Sequence, residues 1–592
     1  MADSMMRVFY GLLFCCWSIP ALAQTAGPKV SSVFPESQTI TAQRSSAIEI
    51  LFDEPINPAS ITPKSVFVFG RWSGTASGQL EVAEDNTIVR FLSDKPFMAG
   101  EWVTVSLSKN IEGFDDSLMD NGYIWSFWIE SAPGTFDYTL IDDISTRESG
   151  EGLVRSYGAY AGDLNRDGYS DLMIPNEVAN DIRVFLNDGL GGYSDFATYS
   201  IPNGAVPSTN EGADFNLDGW IDFAIGNTGN DLVSVWSSST NGVAVHTGNV
   251  EADNNIRGLC MIDLNGDNAM DMVTANRTGQ DDNGNVSVLM NDGTGAFSRT
   301  ENMETNSAGE TACATIDANH DGIQDVFIGT YTGNEVLLYL GDGVGGLSFS
   351  DKKTVGANPW MLAAGDMNGD GHADVVSSNT GDASVSVVLG NGDGSLRNPV
   401  EYSTGQFPLA IDVGDLDGDG DLDVVTSNFS SNDYTVLENN GLSGLSRKLT
   451  LPATRAASCT ILHDRDNDGD LDITAIDELA DRIFLYDNIT EATSVEEVGL
   501  VNAHLKVTHV FPNPSSTSST IKIWSTNAEE GQMMIYDILG RVITQRNVFF
   551  SIGSNELVWD GYSDDGNKVK PGIYFLELQS SIGNFQSSIM RQ

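Results

Sequence analysis

A nine-residue acidic segment recurs seven times in the middle of this chain, and this repeat constrains the fold more than any other feature. The copies begin at Asp163, Asp214, Asp263, Asp317, Asp366, Asp415 and Asp464. Successive starts are 51, 49, 54, 49, 49 and 49 residues apart. A period of about 50 residues fits one four-stranded sheet per unit better than a thin solenoid coil. The repeat therefore predicts a seven-bladed β-propeller over residues 136–490.

The amino-acid sequence between the acidic segments has the pattern of short strands joined by turns. In the fifth unit the acidic segment precedes the apolar pair Val375 and Val376, an alternating run at residues 385–389 and a glycine turn at residues 392–394. Glycine supplies the positive φ that tight hairpin turns need. A fourth strand then leads to the next unit, as at residues 195–200. We expect an all-β chain.

The two ends of the repeat are predicted to share one sheet. The seventh unit ends in a strand around Tyr486 with no outer strand after it, and residues 136–141 form an apolar strand before the first unit. Pairing these two strands closes the ring and leaves no exposed sheet edge at the junction. The closure should then depend on residues 136–142.

Each acidic segment follows the pattern D-x-[DN]-x-D-[GN]-x-x-D, which suits a hard cation. Calcium takes six to eight oxygen ligands. Positions one, three, five and nine supply side-chain oxygens, and position seven, which varies freely, supplies its backbone carbonyl. Position six is Gly in six copies and Asn268 in the third, as expected where a sharp turn needs positive φ. No Glu occupies position twelve, so the segments are not EF-hands.

The candidate ligands form seven sets of five residues. They are Asp163, Asn165, Asp167, Tyr169 and Asp171; Asp214, Asn216, Asp218, Trp220 and Asp222; Asp263, Asn265, Asp267, Ala269 and Asp271; Asp317, Asn319, Asp321, Ile323 and Asp325; Asp366, Asn368, Asp370, His372 and Asp374; Asp415, Asp417, Asp419, Asp421 and Asp423; Asp464, Asp466, Asp468, Asp470 and Asp472. Counting positions one, three, five and nine, 23 carboxylates are crowded into seven small spaces and would repel one another without cations. We expect about seven structural Ca²⁺ ions. Metal-free Asx turns and Mg²⁺, which demands stricter geometry, are the weaker alternatives.

These segments, with their period and flanking strands, resemble the FG-GAP and VCBS repeat families and are similar to the cation-binding blades of integrin α-subunit propellers. The resemblance covers about 350 of the 592 residues. It implies that the aspartates and asparagines named above are calcium ligands. It implies nothing about what the propeller binds.

The N-terminal region is predicted to contain a signal peptide at residues 1–23 and an Ig-like β-sandwich at residues 28–132. A polar start, an apolar run at residues 8–17 and a small-x-small pattern at residues 21–23 are typical of an export signal. Alternating runs at residues 48–52, 65–69 and 102–106 have sandwich-like spacing. This order resembles bacterial Ig-like domains of surface-layer type. We expect a spacer or stalk rather than a ligand site.

The C-terminal region is predicted to be a sorting signal for export. An acidic linker at residues 491–505 precedes a β segment at residues 506–592 with motifs at residues 511–514, 534–541, 559–561 and 572–576. That order resembles the C-terminal sorting domain of the type IX secretion system of Bacteroidetes; a plain Ig-like domain is the alternative. The resemblance implies type IX secretion machinery as a partner, removal of the domain after export, and a secreted or outer-membrane surface location in a Bacteroidetes-like bacterium. The propeller is thus expected to lie between two Ig-like sandwiches.

Charge and cysteine content exclude several classes of partner. With 83 acidic and 30 basic residues the formal net charge is −53, which would repel nucleic acids and anionic lipid surfaces. The apolar run of the signal peptide is too short for a permanent span, so no transmembrane segment is expected after cleavage. A lipoprotein anchored at Cys15 or Cys16 is disfavoured by the bulky Phe14. Only Cys260, Cys313 and Cys459 then remain, too few for a disulfide framework.

Three functional hypotheses follow for the propeller. The first is a secreted or cell-surface adhesive module that binds a glycan or a protein through the broad face of the ring or the clefts between its sheets. The second is a polysaccharide lyase or hydrolase, for which His246 with Tyr199 or Tyr402 is the candidate acid-base group. No catalytic signature is present, and only 12 Arg and 3 Lys lie between residues 136 and 490. The third is a passive spacer.

Overall fold

The computed structural model describes residues 27–239, 242–277, 285–490, 505–511, 518–525, 528–537, 541–551, 553–570, 572–580 and 583–591. The chain divides into two compact units, Met1–Thr490 and Glu491–Gln592. The predicted signal peptide and nearly all of the predicted linker lie outside the described residues. Within those residues, none of the helices has the length and apolarity needed to cross a bilayer.

The first part of the larger unit is a β-sandwich. Its strands are β1 (Val30–Phe34), β2 (Ile48–Phe52), β3 (Val66–Gly70), β4 (Gly74–Thr75), β5 (Gly78–Val82), β6 (Ile88–Ser93), β7 (Trp102–Leu107) and β8 (Tyr123–Trp128), with one 3₁₀ turn at Pro58–Ser60. They form two sheets of strand order β1-β2-β6-β5 and β4-β3-β7-β8. Alternate residues such as Ile48, Ile50, Val103 and Val105 are buried between the sheets. Burial of one face of each sheet stabilises the sandwich.

In the described residues, the rest of this unit contains seven four-stranded antiparallel sheets, six of which are built from four strands that are consecutive in the chain. The innermost strands are β10 (Tyr160–Gly162), β14 (Pro207–Ala213), β18 (Ile256–Ile262), β22 (Glu310–Ile316), β26 (Pro359–Gly365), β30 (Pro408–Gly414) and β34 (Ala457–His463). The second strands are β11 (Asp171–Asn176), β15 (Asp222–Asn227), β19 (Asp271–Asn276), β23 (Asp325–Thr330), β27 (Asp374–Asn379), β31 (Asp423–Asn428) and β35 (Asp472–Asp477).

The third and outer strands complete each sheet. The third strands are β12 (Asp181–Phe185), β16 (Leu232–Ser237), β20 (Asn285–Asn291), β24 (Glu335–Gly341), β28 (Ser384–Val388), β32 (Asp433–Glu438) and β36 (Arg482–Thr490). The outer strands are β13 (Phe196–Ser200), β17 (Val245–Glu251), β21 (Phe297–Glu304), β25 (Leu347–Thr354), β29 (Val400–Ser403), β33 (Ser446–Pro452) and β9 (Gly134–Ser145).

The innermost strands form a closed ring. Each contacts the innermost strand of the next sheet, and β34 contacts β10. All second strands are fully buried, and five hydrophobic clusters in the described residues fill the spaces within and between these sheets. The predicted all-β, propeller-like fold is confirmed.

The sheet that closes the ring takes its outer strand from the opposite end of the repeat. Strand β9 pairs antiparallel with β36, with Leu140 opposite Tyr486 and Tyr138 opposite Asn488. Tyr138 also donates its hydroxyl proton to the carbonyl of Leu471 at 3.1 Å. The predicted exchange of the strand at residues 136–141 is confirmed.

The smaller unit is a second β-sandwich. Its strands are β37 (Leu505–Phe511), β38 (Ser519–Ser525), β39 (Glu529–Asp537), β40 (Val542–Phe550), β41 (Gly553–Trp559), β42 (Gly572–Ser580) and β43 (Gly583–Arg591). They form sheets of order β37-β38-β41 and β40-β39-β42-β43 around a core that includes Trp559, Phe550 and Leu576. Trp559 and Tyr574, from two of the C-terminal sequence motifs, pack with ring centroids 5.3 Å apart. These motifs therefore serve the core of the sandwich.

Candidate functional site

All seven acidic loops lie at the same end of the ring, which we call the loop face. Each loop follows the innermost strand of its sheet, and its ninth residue is the first residue of the second strand. The seven predicted ligand sets are therefore equivalent in position. The opposite end of the ring is called the far face.

The first position folds six of the seven loops back on themselves by accepting loop N–H groups, and the sixth position forms a turn in all seven. In the first loop Asp163 accepts the backbone N–H groups of Asp167 and Gly168, both at 2.9 Å. The sixth residue has positive φ in every loop, from 69° at Asn268 to 105° at Gly469, as predicted. The fourth residue is also left-handed throughout, although it is Gly in only three loops and is Leu217 in the second. That second turn had no uniform sequence signal.

The ninth residue has a structural role that the sequence analysis missed. Asp374 accepts the N–H of Met367 at 2.9 Å on Oδ2 and the N–H of Gly390 at 2.8 Å on Oδ1. The same two bonds recur at Asp171, Asp222, Asp271, Asp325, Asp423 and Asp472. This carboxylate ties the start of the loop to the end of the third strand, which explains why the ninth position is always Asp.

The seventh residue is held through its backbone. Its N–H donates to Oδ1 of the fifth residue in all seven loops, for example from Trp220 to Asp218 at 2.9 Å. The side chains differ in their surroundings. Ile323 is buried, whereas His372 lies 2.8 Å from the imidazole of His320 in the neighbouring loop. The wide choice of side chain at this position fits a role for the backbone alone.

The donor set fits a hard divalent cation. In the sixth loop Asp415, Asp417 and Asp419 each place a carboxylate oxygen within 4.8 Å of the others, and Asp464, Asp466 and Asp468 do so in the seventh. Both carboxylate oxygens of Asp464, Oδ1 of Asn265 and Oδ1 of Asp421 are buried without a hydrogen-bond partner. Such orphaned oxygens are costly unless a cation or water satisfies them. An all-oxygen set of this kind suits calcium.

Burial makes the loop carboxylates reluctant to ionise in the metal-free protein. It raises the pKa of Asp171, Asp271, Asp325 and Asp374 to about 8, although their two N–H partners oppose the shift. Burial also raises the pKa of Asp415 to about 7, and the neighbouring charges of Asp419 and Asp417 add to this effect. At neutral pH the four groups with a pKa of about 8 are therefore largely protonated unless a cation is bound.

Comparison with known families agrees with this geometry. The FG-GAP-like repeat family matches residues 163–225, 263–328, 317–377 and 366–426. The chain contains FG-GAP-like repeats. The bacterial Ig-like domain family matches residues 24–128, and the secretion system C-terminal sorting domain family matches residues 509–591. The chain is therefore a secreted β-propeller protein, and its sorting domain points to the type IX secretion machinery and to secretion or the cell surface.

The FG-GAP-like matches include the first six loops and end before the seventh. The seventh loop differs because its second residue is Arg465, which is 1% exposed and lies 2.7 Å from Asp487. In the other loops this position is Leu, Phe, Ala or Met. Arg465 also donates to the carbonyl of Gly191 in the first repeat, so this substitution belongs to the seam where the ring closes.

Similarity to individual proteins is remote. A functionally unknown protein from Desulfotomaculum acetoxidans DSM 771 aligns at 12% identity and a TM-score of 0.37, with 66% of this chain and 98% of that chain covered. The periplasmic gluconolactonase PpgL of Pseudomonas aeruginosa aligns at 16% identity and a TM-score of 0.37, with 54% and 96% covered. The comparison with curated proteins gave no match.

The N-terminal sandwich covers the loop face. Its residues hydrogen bond to six of the seven acidic loops: Trp72 to Asp163, Thr75 to Asp214, Ser106 to Asp263, Ile124 to Gly322, Ser131 to Asp415 and Ala132 to Gly469. Trp128 packs against Met367 of the remaining loop. The domain is thus docked on the ring rather than separate from it. Of the two broad faces of the ring, the loop face is therefore the one that the sandwich covers.

A cavity of about 290 Å³ lies at the centre of the ring between the sandwich and the far face. Phe69, Arg71, Trp102 and Trp128 of the sandwich line one end, and the innermost strands form the walls. Arg71 Nη1 lies 3.0 Å from Asp412 Oδ1 on β30. Burial raises the pKa of Glu211 on β14 to about 7, with Arg71 opposing the shift and Asp412 adding to it. The cavity therefore brings Arg71, Asp412 and Glu211 together within a mixed lining of polar and apolar side chains.

The residues considered for acid-base chemistry lie elsewhere. His246 on β17 hydrogen bonds to Asn249 at 3.1 Å, and both His246 and Tyr199 contact the ring of Trp236. Tyr402 on β29 instead donates to the carbonyl of Ser443 at 2.8 Å. His246 therefore has Tyr199 nearby, while Tyr402 belongs to a different part of the ring. The three cysteines of the described residues, Cys260, Cys313 and Cys459, are free thiols on innermost strands.

Proposed function

We propose that this protein is a calcium-binding, secreted adhesive module that holds structural Ca²⁺ in its FG-GAP-like loops and binds an extracellular glycan or protein on the far face of the ring. The observation that supports it best is the pairing of seven oxygen-rich loops with a sandwich that covers them. Calcium in the loops would then stabilise both the ring and the domain docked on it.

The proposed calcium set consists of the loop oxygens already named. Positions one, three, five and nine would provide side-chain oxygens, and position seven its carbonyl. When bound, the ion would neutralise the crowded carboxylates and leave the loop conformation in place. Because the loops are folded by their own hydrogen bonds, little reorganisation is needed to accept it.

Calcium titration of the full chain tests this proposal. Extracellular modules bind calcium with Kd of about 10⁻⁴ to 10⁻³ M, and ligand at a hundred times Kd adds about 2.7 kcal/mol per site. We expect several equivalents of bound calcium and a large fall in the melting temperature with chelator. Magnesium at the same concentration serves as the matched control. An unchanged melting temperature after chelation would contradict the proposal.

The ligand face is testable separately with a glycan array and a turnover screen on the calcium-loaded protein. Binding without turnover is expected. The competing function is a polysaccharide lyase, which would need a base beside an arginine; Tyr157 lies near Arg257 at the far face. Burial raises the pKa of Tyr157 to about 12, although Arg257 opposes the shift, so its phenol stays protonated at neutral pH. Unsaturated uronate products in the screen would favour the lyase.

The C-terminal sandwich is proposed to be removed after type IX export. Its family match supports this role. Mass spectrometry of the native extracellular protein should find a C-terminus within or near residues 491–505. A mature extracellular chain that still ends at Gln592 would contradict the proposal.

A further inference from the structure

A cluster of two arginines and three aromatic residues surrounds the opening of the central cavity on the far face. It consists of Tyr157, Arg257, Arg277, Tyr331 and Trp360, and we call it the arginine–aromatic cluster. Arg257 and Trp360 are the second residues of β18 and β26, and Arg277 and Tyr331 directly follow β19 and β23. These are the strand ends away from the acidic loops. The cluster therefore assembles residues from the first, third, fourth and fifth repeats.

The aromatic residues form a partly buried platform. Tyr331 and Trp360 meet edge to face, with ring centroids 5.5 Å apart and planes at 78°. Trp360 donates its indole proton to the Tyr157 hydroxyl at 3.1 Å. Because Tyr157 belongs to the first repeat and Trp360 to the fifth, this bond spans the opening. The platform is half-buried and fixed from two sides.

The two arginines hold positive charge on this platform. Arg277 lies 4.1 Å above the ring of Tyr331 and 5.4 Å from that of Trp360, and Arg257 lies 5.5 Å from that of Trp360. Among the described residues neither arginine is within ion-pair distance of a carboxylate. The nearby Glu177 and Glu478 both pair with Arg155. In a chain with net charge −53, two adjacent cations without paired carboxylates are unexpected.

The opening also presents hydroxyl groups without partners. Ser208 and Ser458 are the second residues of their innermost strands, at the same level as Arg257 and Trp360. Both are at most 3% exposed, both line the cavity, and neither Oγ has a hydrogen-bond partner. Unsatisfied buried hydroxyls indicate a polar occupant.

We infer that the arginine–aromatic cluster binds a carboxylate-bearing sugar residue, with the carboxylate held by Arg257 and Arg277 and a face of the sugar ring against Trp360. Arginine is well suited to carboxylate recognition, and aromatic faces provide apolar area for the C–H face of a sugar. This inference names the ligand class for the binding module proposed above and rests on that proposal.

A peptide C-terminus is the competing carboxylate ligand, and the backbone disfavours it. Peptide carboxylates are captured by clusters of free backbone N–H groups. Here the N–H of Arg277 donates to Asn255, that of Tyr331 to Gly309 and that of Asn358 to Asn334. A long polyanion is disfavoured as well, because the negative charge of the whole chain would repel its distant units. A single uronate at a chain end fits best.

Calorimetry of the full, calcium-saturated chain tests this inference with three probes. These are a disaccharide ending in glucuronic acid, its neutral glucose counterpart and a short peptide with a free C-terminus. We expect the acidic sugar to bind at least tenfold more tightly than the other two. Equal affinity for the neutral sugar, or tighter binding of the peptide, would overturn the inference without any variant.

The variants locate the site. Arg257→Ala combined with Arg277→Ala should weaken the acidic sugar at least tenfold and leave any affinity for the neutral sugar unchanged. Arg447→Ala, an exposed arginine on the outer strand β33, is the matched control and should bind as the original chain does. Full affinity in the double variant would overturn the inference. If the calcium titration fails while the acidic sugar still binds, the result contradicts structural calcium but not this site. If the acidic sugar binds at another place on the chain, the result contradicts this site but not the proposed binding function.

Discussion

Arg71 of the N-terminal sandwich reaches into the central cavity and pairs with Asp412 on an innermost propeller strand, with 3.0 Å between Nη1 and Oδ1. Asp412 is nearly buried, and it also accepts the N–H of Leu462 at 3.0 Å. The two domains of the larger unit are therefore joined by an ion pair as well as by contacts on the loops. This pair is a point where docking can be weakened without touching the acidic loops.

Arg71→Ala should lower the free energy of unfolding because it leaves the Asp412 carboxylate without its cation. Loss of one partner of a buried pair costs about 3–5 kcal/mol, but the Arg71 side chain is 35% exposed, so we expect about 1–2 kcal/mol. Urea unfolding in excess calcium measures it. Arg90→Ala, which removes an exposed pair with Glu49 on the same sandwich, should change stability by under about 0.5 kcal/mol. Equal effects of the two substitutions would contradict the assignment.

Glu211 predicts a pH dependence that calcium does not remove. Burial raises its pKa from 4.5 to about 7 in the folded chain. Between these values the unfolded chain has released the proton and the folded chain still holds it, so stability falls as pH rises from 4.5 to 7 and is level above. Glu211→Gln should abolish this part of the fall, on the order of 2 kcal/mol.

Thermal melts across pH 4.5–8 in excess calcium measure the effect of Glu211. Glu251→Gln, at an exposed position on β17, is the control and should keep the original pH profile. If Glu211→Gln leaves the slope unchanged, Glu211 does not carry the proton that the cavity suggests.

Asp374 separates the structural role of the ninth loop residue from calcium binding. Asp374→Asn leaves only one acceptor oxygen for the two N–H groups of Met367 and Gly390. An unsatisfied buried N–H costs about 1–3 kcal/mol. We expect destabilisation of this size even in chelator, when bound metal no longer contributes to the free energy of unfolding. Asn368→Ala, at the partly buried third position of the same loop, should lose most of its effect in chelator.

The exchanged strand β9 should matter more than its length suggests. Replacement of residues 136–142 by a Gly/Ser segment of equal length removes the outer strand of the closing sheet and exposes the edge of β36. We expect cooperative unfolding at a clearly lower urea concentration and more aggregation. Asp137→Ala and Thr139→Ala, at exposed positions of β9, should leave both nearly unchanged. If the chain with the replaced segment unfolds and aggregates as the original chain does, closure of the ring does not need this strand.

The repeat made the ring and its closure predictable because the spacing of the acidic segments and the pattern of the strands are local properties of the amino-acid sequence. The outer strands expected from residues 195 and 136 begin within two residues of those positions, and Asn268 adopts the positive φ expected from its place in the loop. The left-handed turn at Leu217 was not predictable, since tertiary contacts override the preference of a Leu residue there.

The docking of the sandwich and the arginine–aromatic cluster could not be read from the sequence. Arg71 and Asp412 are 341 residues apart, and nothing in either local segment indicates the other. Arg257 and Trp360 each occupy the second position of an innermost strand, where the other repeats have Ala, Ser, Thr or Leu. Side chains that meet across the axis of a ring leave no periodic signal, because each repeat contributes a different residue.

Strand exchange also sets the order in which the ring can be completed. Arg482 and Asp143, which pair in the closing sheet, are separated by 339 residues. A chain that emerges N-terminus first has β9 from the beginning and must hold it unpaired until β36 follows. The entropy cost of closing a segment rises only with the logarithm of its length. The delay in pairing β9 with β36 is therefore set by synthesis and export of the chain between them rather than by the stability of the closed ring. The ring can thus be completed only after all seven repeats have emerged.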